Sequence, residues 1–126
     1  MNNYFMIEDL NSMYGITIPM ALLEDKIFKN LSHTAKLLYG LLSDMVDMEV
    51  INGNIGETGV ACTNLNIKYL EGMLDISEFE VAVHLKELLN INDTGIGLVQ
   101  IMGERNHLKV YVPNFRNTYK CIKDMG

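Results

Sequence analysis

Few side chains in this 126-residue chain stand at spacings that perform chemistry. His33, His84 and His107 with Cys62 and Cys121 are the candidate soft ligands, but none are paired at the close spacing structural zinc uses. There is no glycine-rich phosphate loop and no nucleophile motif. Asp44, Asp47 and Glu49 fall on a helical stretch and its end, where a solvated face is the default. The sequence therefore predicts no enzyme activity, no cofactor, no metal and no small-molecule substrate. What remains is recognition, and it centres on "ISEFEVAVHLKELL", residues 76–89. Its spacing is that of the second helix of a helix-turn-helix, the one that enters the DNA major groove. Where such a helix would carry Lys or Arg, this one carries Glu78, Phe79, Glu80 and Val83.

The elements that must position this stretch follow from caps and periodicity. Ser77 followed by Glu80 fits a capping box, with Val81, Leu85 and Leu88 as the buried stripe behind it. Ser32 is the N-cap for "HTAKLLYGLLSDMVDM", where Ala35, Leu38, Leu41, Leu42, Met45 and Met48 recur at helical spacing. Both helices must bury their stripes together, which predicts one core containing Leu38, Leu41, Val81, Leu85 and Leu88. His84 is expected to be partly buried with one hydrogen bond.

Upstream, "YGITIPMALL" predicts an extended segment into Pro19, which suits the first position of a short helix. "INGNIGETG" is turn-rich, with Asn52-Gly53 suited to a tight reversal. "VACTNL" predicts a short strand, and "IKYLEGML" a short helix capped by Asn66 and weakened by Gly72. After "NDTG", the runs "LVQIM" and "HLKVYV" flank "GERN", predicting a β-hairpin with Gly103 to Asn106 as its turn and Arg105 near the tip. Helix, strand, helix, turn, helix, hairpin is the order of a winged helix, an α+β fold in a single domain with the hairpin as its wing.

Composition agrees with a folded domain: 48% of residues are apolar. The nine methionines serve mostly as core filler. No apolar run approaches the roughly 20 residues of a membrane span, and the N-terminus lacks the features of a signal peptide. Two distant cysteines predict reduced thiols and a cytoplasmic setting, with no membrane partner. A net charge of −6 argues against a plain nucleic-acid binder. The charge is uneven, however: residues 1–104 hold five lysines against fifteen acids, whereas residues 105–126 hold five cations against Asp124 alone. Phosphate contacts are therefore expected toward the C-terminal end.

The stretches "TIPMALLEDKIFKNLSHTAKLLYGLLSDM", "INGNIGETGVACTNL", "LKELLNINDTGIGLV" and "VYVPNF" together resemble the N-terminal domain of RepA-type plasmid replication initiators of low-GC Gram-positive bacteria. "AKLLYGLL" (Ala35 to Leu42) is the most specific of the matching residues. The resemblance covers about residues 14 to 115. It implies a winged-helix domain that dimerises and binds repeated sites at a replication origin, without enzymatic activity. Where the family pattern has lysines early in the recognition helix, this chain has Glu78, Glu80 and Val83. The family's basic run at the start of the wing is replaced by the shorter "VQIMGERN", leaving Arg105 as the tip cation.

The resulting expectation is a homodimeric DNA-binding domain of a plasmid or mobile-element replication initiator, with double-stranded origin repeats as partner. Its candidate DNA-facing residues are Ser77, Glu78, Glu80, Val83, Lys86, Arg105 and Lys109. The acids have a structural explanation as well, since carboxylates in a first turn favour the helix dipole. Phe79 and Val83 support an alternative function, a protein-interaction module with weak or no DNA binding, unless the wing or the N-terminal segment covers them. In the expected division of the chain, residues 1–13 with Tyr4, Phe5 and Met6 form an N-terminal segment and candidate dimer contact. Residues 14–115 are the winged helix, and residues 116–126 are a basic tail, either contacting phosphates or frayed as the start of a linker. The altered reading helix predicts weaker, steeply salt-dependent and poorly selective DNA binding.

Overall fold

Pro19 stops the extended lead-in and starts the first helix. In the computed structural model, which describes residues 15–54 and 60–125, α1 (Met20–Glu24) follows it directly. Pro19 is the N-cap (φ −57°, ψ 134°), one residue earlier than the expected first helical position. The next four helices each begin at a side chain that captures an otherwise unpaired amide. Ser32 Oγ accepts from Ala35 N at 3.0 Å ahead of α2 (His33–Ile51). Asn66 Oδ1 accepts from Tyr69 N at 3.0 Å ahead of α3 (Ile67–Leu74). Ser77 and Glu80 close the expected capping box on α4 (Glu78–Leu89). Asn114 Oδ1 accepts from Asn117 N at 3.0 Å ahead of α5 (Phe115–Met125).

Between α2 and α3 lies β1 (Thr63–Asn64), and between α4 and α5 lie β2 (Gln100–Glu104) and β3 (His107–Tyr111). They form an antiparallel sheet in the order β1-β3-β2. Thr63, Val110 and Ile101 share the inner face, whereas Asn64, Lys109 and Met102 share the outer one. With α2 packed against β1 and β3, and α3 and α4 packed on α2 and on each other, the chain is a single α+β winged helix.

One core joins the layers. Leu38, Val81, Leu85 and Leu88 are buried together, and Leu41 packs half-buried against them. Phe28, Leu22, Leu70, Ile91 and Val110 extend the core toward α1, α3 and the sheet. Gly40 lets the extended lead-in lie against α2, since a Cβ there would meet Ile16 Cδ1 at 2.8 Å.

Several boundaries differ from the sequence-based expectation. α2 runs three residues beyond Met48, and Asn52-Gly53 ends the helix rather than turning a hairpin. Gly53 (φ +77°) donates to Val50 O at 3.0 Å and Asn54 donates to Glu49 O at 2.8 Å, a Schellman closure. β1 keeps only two of the six residues of "VACTNL". The wing turn is Arg105-Asn106, because Gly103 and Glu104 still pair with Leu108 and His107.

The largest correction concerns residues 116–126. They were expected to be a tail or the start of a linker, yet α5 packs on the domain through 125. Phe115, Thr118, Tyr119 and Ile122 recur at i, i+3, i+4 and i+7, with Thr118 and Ile122 buried. The Tyr119 ring lies 5.7 Å from Phe28, and the Phe115 ring 6.1 Å from Tyr39. The Tyr119 hydroxyl donates to Asp25, whose carboxylate also holds Lys123 Nζ at 3.7 Å. The apolar stripe of α5 is narrow and stands among polar neighbours, so the stretch has the composition of a solvated tail.

Two substitutions test this core. Leu85→Ala should destabilise by about 2–5 kcal/mol in chemical denaturation, as truncation of packed leucines does. Ile122→Ala should cost a similar ~2–5 kcal/mol; a frayed tail would show a loss below about 0.5 kcal/mol.

Candidate nucleic-acid interface

The turn between α3 and α4 aims the candidate reading helix. Asp75 ends α3 in the left-handed region (φ 53°, ψ 48°), its amide donating to Glu71 O. Aspartate tolerates this conformation better than most residues. Ile76 N then donates to the same carbonyl at 3.3 Å, and Ser77 caps α4 two residues after the reversal. With Val81, Leu85 and Leu88 turned inward, Phe79, Val83 and Lys86 at i, i+4 and i+7 line the outer face. Phe79 is 78% exposed and Val83 42%, so the wing does not fold over them.

The polar groups at the start of α4 are spent on one another. Glu80 Oε1 accepts from Ser77 N at 3.3 Å and from Ser77 Oγ at 3.1 Å, and Ser77 Oγ accepts from Glu80 N at 3.1 Å. Glu78 is exposed beside them, a second acid in the first turn where the helix dipole favours it.

The wing carries the candidate cations. Arg105 stands exposed in the two-residue turn and has no ion-pair partner among the described residues. Lys109 points to the outer face of β3 between Asn64 and Met102, with the cross-strand pair Glu104–His107 toward the tip. Gly103 makes this hairpin possible: at φ +120° an added Cβ would run into His107 O. The wing and α4 together hold Glu78, Glu80, Glu87 and Glu104 against Lys86, Arg105 and Lys109, close to balance and unlike the whole chain. α5 leaves from the base of β3, about 16 Å of strand from the tip, and Lys123 is held by Asp25 and the Tyr119 ring. Arg116 and Lys120 stay exposed on α5.

His84 belongs to a three-residue cluster that joins α4 to α2. Its Nδ1 lies 2.6 Å from Glu87 Oε2 and 3.1 Å from Ser32 Oγ. Ser32 donates through N to Glu87 Oε1 at 2.8 Å and through Oγ to Glu87 Oε2 at 2.9 Å. Serine, histidine and carboxylate meet here without forming a nucleophilic relay, because both oxygens approach the same ring nitrogen and Ser32 Oγ caps α2. The cluster instead places a carboxylate at the positive end of α2. His84 thus has two polar neighbours where one was expected.

The sequence-based reading did not place at this surface Asn64 and His107, which strand register puts beside Lys109, or Lys68, 85% exposed at the start of α3. Hairpin register would have shown His107, whereas Asn64 depends on the long-range pairing of β1 with β3; a lysine in the first turn of the preceding helix was the signal for Lys68. Tyr4, Phe5 and Met6 lie outside the described residues. Among the described residues no helix is long and apolar enough to cross a membrane, and no three metal-ligating side chains converge.

Residues 14–124 match the family model described as "Replication initiator protein A (RepA) N-terminus", so the match extends through most of α5. Among curated proteins no relative matches the chain. Solved structures share the fold. One described as the N-terminal domain of a DNA-binding protein has a TM-score of 0.65 at 21% identity, covering 98% of this chain and 95% of that one. A Rep–DNA complex gives 0.62 at 21%, covering 97% and 94%. A structure described as an MDR initiator gives 0.62 at 21%, covering 98% and 99%.

The Glu87 cluster makes a pH prediction. Burial raises the Glu87 carboxyl, but hydrogen bonds from His84 and from the Ser32 amide and hydroxyl outweigh it and hold the group below its ordinary 4.5. A depressed carboxyl contributes stability that is present above the ordinary value and lost as the pH falls through the lowered one. Melting temperatures of the parent and Glu87→Gln should therefore differ most near neutrality and converge in acid. Parallel curves across that range would refute the linkage.

Proposed function

Because the chain belongs to the family of RepA replication initiator N-termini, we propose that it binds repeated sites in the origin of a plasmid or mobile element, as a homodimer, through α4 and the wing. The observation that carries this reading is the pairing of an exposed α4 outer face with a wing whose Arg105 and Lys109 are exposed. Lys86 on α4 and Lys68 on α3 add cations at the flanks. A two-fold protein on paired half-sites is the usual arrangement for this class of reader. The four acids against three cations on this surface lean toward the alternative of a protein-interaction module, whereas the exposed Arg105 and Lys109 beside α4 and the family membership support DNA. The role of the domain is recognition, with no catalytic step.

In this reading the phosphate contacts come from the wing and from Lys86, and the glutamates of α4 weaken them. The double change Glu78→Lys with Glu80→Lys should raise affinity for origin DNA and steepen its salt dependence by about two in log–log slope, one per added cation. It should cost about 0.3–1 kcal/mol of stability per lost acid. Arg105→Ala and Lys109→Ala should each make the slope shallower by about one. Titrations of the three variants and the parent at two salt concentrations measure the affinities and slopes, and chemical denaturation measures the stability cost; weaker binding by the double mutant would mean that the glutamates read bases.

A further inference from the structure

We propose that α4 reads thymine, with Phe79 and Val83 packing against C5-methyl groups in the major groove. This rests on the origin-binding reading above and adds the bases to it. The argument is one of available chemistry. In the first two turns of α4 the residues that can face a groove are Ser77, Glu78, Phe79, Ala82 and Val83. The Ser77 hydroxyl is consumed inside the capping box, Glu78 can only accept, and the other three have no polar side-chain atom. Guanine offers the major groove only its N7 and O6 acceptors, so these two turns, which carry no free side-chain donor, gain nothing from it, and Lys86 on the third turn is in this reading spent on phosphate. Thymine offers a methyl group, and an aromatic four residues from an aliphatic is a surface that fits it.

The rival occupant is a protein. Side chains of this size, 78% and 42% exposed, present on the order of 200 Å². That is well short of the ~800 Å² per partner of a specific interface, and Glu78, Glu80 and Lys86 bound the pair along the helix. Duplex DNA is the occupant that the nearby cations favour, because Lys86 on the next turn of the same face and Arg105 and Lys109 on the wing can hold the phosphates beside the pair.

The test starts from duplexes that the protein enriches from a random library. Each enriched duplex is then made with deoxyuridine for thymidine, which removes the methyl and keeps the hydrogen-bonding edge. Affinity should fall about four-fold for each methyl contacted, the equivalent of one buried methyl group. Phe79→Ala and Val83→Ala should bring the thymine-to-uracil ratio toward one while leaving the salt slope and the melting temperature unchanged. Equal affinity for both duplexes, or a ratio that survives Phe79→Ala, would overturn thymine reading and leave origin binding intact. Phe79→Ala that changes the oligomeric state with a ratio of one would assign the patch to a protein contact. Failure to bind any duplex at low salt would sink both readings.

Discussion

What α4 presents to a partner follows from the burial of a single stripe along it. Val81, Leu85 and Leu88 can reach the Leu38 side of α2 in only one rotation of the helix. That rotation turns Phe79, Val83 and Lys86 outward, and no local choice at those positions can change it. The transfer of three large aliphatic side chains from water, about 1.5–3 kcal/mol each, outweighs any preference of the outer residues. The reading surface is therefore a consequence of the core and inherits its rigidity.

Rotation alone does not fix the tilt of α4, and here the polar contacts act. Its start is held by the left-handed Asp75 and the capping box, and its third turn by the bonds of Glu87 and His84 to Ser32. Because Ser32 is itself the N-cap of α2, the same hydroxyl helps start one long helix and anchor the other. The wing is set independently, by pairing of β3 with β1 and β2 around Val110. Helix and wing are thus two rigid parts on one core, the arrangement a two-contact reader of a duplex needs.

Most of the fold was legible in the sequence because its signals are local. Ser32, Asn66 and Ser77 each announce a cap within three residues, and the stripes of α2 and α4 repeat at a clear helical period. What escaped was non-local or weakly contrasted. α5 hides its four inward residues in a polar stretch, and its stability comes from Phe28, Tyr39 and Asp25, far away in the chain. The site divides in the same way. Glu78, Phe79, Glu80 and Val83 could be placed on one helix from spacing alone. The engagement of Glu80 by Ser77 was also legible, as a capping box, whereas that Phe79 lies open follows only from the folded geometry, as does the row Asn64–Lys109–Met102, which depends on strand register.

The acids of α4 express a conflict between folding and recognition at one place in the chain. A helix N-terminus gains from carboxylates, by about 0.3–1 kcal/mol each, whereas the phosphates it would approach in a groove repel them. Lysines there would reverse both signs. With glutamates in place, α4 can be stable on its own account, but it must be held against DNA by charge supplied elsewhere. The wing is where that charge can come from: Arg105 sits on a two-residue turn whose backbone is fixed by Gly103 and strand pairing. In the proposed reading most of the long-range attraction comes from the wing, with Lys86 adding to it, and the start of the helix discriminates by shape and apolar contact. In a duplex reader built this way, affinity and selectivity reside on different elements, so each can be altered by substitution without loss of the other.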